Sequence, residues 1–177
     1  MPSLAHLKSV IEAKSGAPTV QCDVTAFRAR VGFDLDEMRL RGFDPSVIEE
    51  HQAFNDRLEE FFTHPIIGEY FSTLTPARSY QASGVWVGTL DDLRALIFPP
   101  DSTPESQLFP HGYIPVAGDG GANSICFHLK SGRVIFAHHE RTSEVIDGDA
   151  LILSEDLDAF LTDLLHDRLT ERLDELD

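Results

Sequence analysis

The sequence predicts an α+β fold whose antiparallel, at most mixed, sheet is flanked by helices. Three observations carry this. Apolar residues recur at helical spacing through residues 1–76. The segment Tyr113–Glu140, YIPVAGDGGANSICFHLKSGRVIFAHHE, reads as three strands joined by two tight turns. An apolar stripe of Leu157, Phe160, Leu161, Leu164, Leu165 and Leu169 then closes the chain as a helix. Helices first, a meander next and a helix last do not alternate as a doubly wound fold requires.

The elements follow in order. Leu4, Leu7, Val10 and Ile11 share one face of a helix over Ser3–Lys14, and Gly16-Ala17-Pro18 stops it. Asp23 caps a second helix through Arg30, with Val24, Phe27 and Val31 inward. Asp44-Pro45 opens the clearest helix: aspartate accepts from a free backbone N–H, and proline loses nothing in the first turn. Val47, Ile48, His51, Phe54, Leu58, Phe61 and Phe62 face inward until Pro65, and Ile66–Leu74 adds further helical turns. Ser83–Val87 is a strand holding Trp86. Thr89 caps a helix carrying Leu90, Leu93, Leu96 and Ile97. Four prolines in Phe98–Pro110 predict a long surface connection. Tyr113–Ala117 is a strand, and Ser124–Leu129 with Arg133–Ala137 forms a hairpin around Lys130-Ser131-Gly132. Leu151–Leu153 is a last short strand, after which Ser154 is expected to cap the closing helix. One domain over residues 1–177 is expected, with 1–76 mainly helical and 83–169 carrying the sheet and the closing helix.

Composition narrows the function. An apolar fraction of 42% and twelve phenylalanines fit a folded globule. No apolar run reaches the roughly 20 residues of a membrane span, and the first residues lack a secretory pattern. Cys22 and Cys126 make neither a zinc spacing nor a disulfide framework, so a cytoplasmic setting and two buried thiols are expected. A net charge of −16 repels nucleic acid and anionic membranes and favours a cationic partner. The excess is uneven: from Glu144 onward, twelve acids face only Arg168 and Arg172.

The chemical motifs are incomplete. GDGG at Gly118–Gly121 precedes a strand, not a helix, so it reads as a turn built on Gly118, Gly120 and Gly121, not a phosphate cradle. Asp119 and Asn123 lack the rest of a calcium loop. His138 and His139 are adjacent on a strand and should point to opposite faces, so they share an ion only if the backbone bends there. His128 and His139 meet only if the hairpin register brings them together. No G-x-S-x-G elbow occurs, and neither cysteine has a local histidine that suggests thiolate activation. No metal site, cofactor or catalytic residue is therefore expected.

The stretch YIPVAGDGGANSICFHLKSG resembles the central signature of the SUKH superfamily, which includes bacterial immunity proteins and fungal regulators of cell-wall synthesis. The corresponding parts are Ile114-Pro115-Val116-Ala117, the turn Asp119-Gly120-Gly121 and the strand Ile125-Cys126-Phe127-His128-Leu129. Val134–Glu140 resembles the family's strand ending near a histidine and an acid, and Ser154–Leu161 its C-terminal helix. The resemblance spans roughly Gly84–Leu165, with Ala122 where the signature usually has glycine and Asn123 where it often has aspartate. It implies an α+β fold, no catalytic residues and action by binding another protein. With the charge, it leads to the expectation of a toxin-neutralising module that holds a basic partner by occlusion. The expected contact residues are Trp86, Asp119, Asn123, His139 and Glu140. The alternatives are a hydrolase with a His/Asp or metal site around His128, Asp119 and His139, and a regulator of cell-envelope synthesis.

Overall fold

Six short strands lie in the order in which the chain makes them, each antiparallel to the next. They are β1 (Tyr80–Ala82), β2 (Val85–Val87), β3 (Tyr113–Gly118), β4 (Ser124–His128), β5 (Val134–Ala137) and β6 (Leu151–Ser154). The tight β1–β2, β3–β4 and β4–β5 turns demand this pairing, the longer β2–β3 and β5–β6 connections keep it, and the open question of a mixed sheet is settled as antiparallel. The computed structural model describes residues 4–99 and 101–175; the expected start of the first helix at Ser3 lies outside them.

The helical half opens with a 3-10 turn, Leu4–Leu7, running into α1 (Lys8–Ser15). Next come α2 (Val24–Val31), α3 (Leu35–Leu40), α4 (Pro45–Thr63) and α5 (Pro65–Glu69), which passes into a π-helical turn, Tyr70–Leu74. The aspartates expected as caps act as such: Asp23 accepts from the Ala26 amide and Asp44 from the Ser46 amide. α3 was not foreseen, because its six residues are too few to show a period; Asp34 caps it through the amides of Asp36 and Glu37. Asn55, in the middle of α4, is buried. Its amide accepts from Phe33 N and donates to Phe33 O, both at 2.9 Å, tying the α2–α3 loop to α4.

Three elements differ from the sequence reading. The expected strand Ser83–Val87 is present as β2, Val85–Val87, but its first two residues form a turn and a strand before it, β1, was not foreseen; the two strands make a hairpin turning on Ser83 and Gly84, both with positive φ as a two-residue turn requires. Ser83 sits there because its side chain is spoken for: the hydroxyl donates to Leu164 O at 2.9 Å. The Phe98–Pro110 stretch is not a surface connection. It contains α7 (Pro104–Leu108), capped by Thr103, and a 3-10 turn Phe109–His111 that buries Leu108 and Phe109. Prolines forbid a helix interior but suit a first turn, and Pro104 stands there. The closing helix, α9 (Leu157–Leu165), is capped by Asp156 through the Ala159 amide; Ser154 is held in β6 opposite Val134. Helices α6 (Leu90–Ile97), α8 (Thr142–Asp147) and α10 (Thr170–Asp174) complete the described chain.

Strands β3 to β5 are buried on both faces. One face joins the main core, which runs from Leu4 to Leu169 and draws on both halves of the chain. The other, with Tyr113, Cys126, Ile135 and Ala137, packs on Leu108 of α7 and Val145 of α8. Pro115 in the central strand β3 is tolerated because the register slips between Pro115 and Ala117, a bulge that relaxes the demand for its missing N–H. A second slip in β6 turns Leu153 into the core and leaves Leu151 and Ile152 exposed. Beside it, the Arg172 guanidinium of α10 donates to Leu153 O.

Asp167 knits three elements. Its carboxylate accepts from Ser83 N and from Lys14 Nζ, both at 2.9 Å, and these bonds hold its pKa below the usual carboxylate value, the backbone bond most. Stabilisation from a lowered carboxyl is whole above about pH 4, its unfolded range, and fades as pH falls through the lowered folded value. Urea melts of wild type and Asp167→Asn should therefore differ most near neutrality and converge in acid; a gap that widens below about pH 4 would contradict this role.

Candidate functional site

The β3–β4 turn is built by one carboxylate. Asp119 Oδ1 accepts from Gly121 N at 2.8 Å and from Asn123 N at 2.9 Å, while Oδ2 accepts from Asn123 Nδ2 at 2.8 Å. The Asp119 amide closes the loop onto Asn123 O at 3.2 Å. With its amide thus oriented, Asn123 presents Oδ1 to β5's end, where it accepts from His139 N and faces His139 Nδ1, each at 3.0 Å. Because an amide oxygen only accepts, this geometry puts the proton on Nδ1 and leaves Nε2 toward Glu140 Oε1, 3.8 Å away. Four expected residues, Asp119, Asn123, His139 and Glu140, thus form one connected chain on the sheet's end.

Their exposures differ. His139 and Glu140 are exposed and Asp119 half-buried, but Asn123 is only 5% exposed. Asn123 therefore positions its neighbours and presents little to a partner, a correction to its expected contact role. The glycine expectation also shifts. Gly118, Gly120 and Gly121 lie in the turn, yet the residue with positive φ is Ala122, at 67°. Glycine would adopt that conformation freely, whereas alanine pays for it.

Trp86 stands apart from this chain of bonds. It pairs with Gly118 across β2 and β3 and is half-buried on the wall of a cavity of about 250 Å3 under α6. Gly88 makes room for it: a side-chain carbon there would come within 2.9 Å of the indole. Glu105, also on the cavity wall, was missed with α7; the capping sequence Thr103-Pro104-Glu105 was the available signal.

The histidines do not assemble as a reaction centre. In the β4–β5 register Ser124 opposes Ala137 and Phe127 opposes Val134, so His128 lies at the far end of β4 from His139. There its ring stacks on Tyr113 at 4.3 Å and its Nδ1 meets Ser131 Oγ. The site combining His128 with Asp119 and His139 is thereby excluded by register. His138 and His139 correct the opposite-face expectation: β5 ends at Ala137, the backbone bends, and the two rings stack 4.8 Å apart. Among the described residues, no three His, Cys, Asp or Glu side chains group as a metal site would need. Cys126 is fully buried, and burial pushes its thiol up to about 12, while Cys22 is only partly buried.

The turn also borders the acidic C-terminus. Asp119, Gly120 and Gly121 share a groove with Thr170, Leu173 and Asp174 of α10. No family model, curated protein or solved structure matches this chain.

Two substitutions separate the roles within the turn. Asn123→Ala removes the partners of a half-buried carboxylate oxygen and of the His139 amide, and should lower unfolding free energy by about 1–3 kcal/mol. Ala122→Gly removes the strained φ and should raise it by up to about 1 kcal/mol in urea melts. Destabilisation by the glycine would show that the turn does not hold that φ.

Proposed function

We propose that this chain is a non-enzymatic protein-binding module whose acidic face captures a cationic partner, in the manner of the SUKH immunity proteins its central stretch resembles. The observation that carries the reading is the meeting of two acidic segments at one groove: the β3–β4 turn with Asp119, and α10 with Asp174 and the exposed Glu171. Glu140 extends the charge on the turn's other side, tied to it through His139 and Asn123. Acids held on a fixed turn lose little freedom on binding and act mainly by steering a basic partner into place. A basic toxin, blocked by occlusion, is the partner that fits this charge and the resemblance.

The chemistry at the turn favours recognition over reaction. Both Asp119 oxygens are engaged by N–H donors of its own loop. Among the described residues the His139 ring meets Asn123, Glu140 and His138, none of them a hydroxyl or thiol that the ring could activate as a base.

The test is binding to the product of the adjacent gene, measured by calorimetry and stopped flow from about 0.05 to about 0.5 M salt. Affinity should fall steeply with salt, and Glu140→Gln with Asp174→Asn should together slow association by about tenfold at low salt. An affinity indifferent to ionic strength rules out capture by charge.

A further inference from the structure

The cavity between α6, α7 and the outer face of β2–β4 holds a feature that packing does not explain. Its walls are mostly apolar, with Phe71, Leu93, Leu96 and Val116 around Trp86, while Asp119 and Asn123 of the turn border it. Yet Glu105 faces it, only 7% exposed. Glu105 Oε1 accepts a 2.8 Å bond from Ser124 Oγ, itself 1% exposed. Among the described residues no lysine, arginine or histidine pairs with this carboxylate. Oε2 receives no hydrogen bond, and it is not among the fully enclosed atoms that lack partners, which are Tyr80 Oη and Asp158 Oδ1. Oε2 therefore opens on the cavity.

A buried carboxylate is costly unless cations or donors meet it; here Ser124 meets one oxygen, and no described cation meets the carboxylate. A ligand that supplies the cation and fills the apolar space satisfies both at once. We propose that this cavity binds a small organic cation: an ammonium group on an apolar stem. The ammonium donates to Glu105 Oε2, and the stem lies along Trp86 and Leu93. The volume of about 250 Å3 is just below the roughly 300 Å3 at which drug-sized sites begin, so the ligand has on the order of ten non-hydrogen atoms. Charge complementarity selects a cation over a neutral lipid or an anion, and the confined volume selects a free amine over a folded segment. The inference does not rest on the docking of a protein at the acidic turn.

Phenethylamine is a suitable probe, followed by heteronuclear NMR of the intact chain. Saturable shifts are expected at the Trp86 indole N–H and at the Ser124 and Ala117 amides, with a Kd on the order of 1 mM or tighter. Glu105→Gln keeps an acceptor for Ser124 and should weaken the amine by about tenfold or more. Phenethyl alcohol, alike in shape but neutral, should bind the wild type at least about tenfold less tightly, a comparison independent of how any variant folds. Absence of shifts at Trp86 and Ser124 in millimolar amine overturns the proposal. Equal affinity for amine and alcohol, or for wild type and Glu105→Gln, overturns it as well.

Discussion

Burial of the central strands on both faces is the constraint from which the rest of the molecule follows. Once β3, β4 and β5 admit no water on either side, their backbone groups depend on one another, and two sets of helices must be supplied to cover them. The long helical half and α9 cover one side, and α7 with α8 the other. Polar chemistry is consequently driven to the ends of the strands. The acidic turn lies at one end, with β5's exit and its two histidines beside it, while His128 is stranded at the other.

At that turn, side chains replace the ladder that the strands have left behind. Asp119 and Asn123 act in series: a carboxylate gathers the loop's amides, and the oriented amide reaches β5. Such short polar links brace a surface loop, because the Gly121 and Asn123 donors are gathered by one carboxylate and Asn123 is withdrawn from water. Rigidity of this kind suits recognition, since little freedom remains to be lost when a partner arrives.

Much of this was legible in the sequence, and the rest was hidden for physical reasons. Long amphipathic stretches such as Pro45–Thr63 and Leu157–Leu165 declare themselves because many residues repeat one spacing. Three-residue strands do not, which is why Tyr80–Ala82 went unread beside the strand expected from Ser83. The prolines of 98–110 signalled what α7 could not be in its interior but not what its first turn permits. At the site, four of the five expected contact residues, Asp119, Asn123, His139 and Glu140, are bonded in one chain, while Trp86 stands apart on the cavity wall. Which of them faces water depends on side-chain direction at a bent strand end, and local sequence does not encode that. Glu105 escaped notice because a lone acid near prolines looks like solvent-facing loop until the helix around it is seen.

The sheet's outer margin carries one more consequence. β6 offers its free side to solvent with Leu151 and Ile152 uncovered, a template on which a foreign strand would add. The slip at Leu153 breaks the regular spacing of that side, and Arg172 occupies the carbonyl there. Arg172 of α10 thus satisfies one carbonyl of that open margin, and removal of the helix would return the Leu153 carbonyl to solvent.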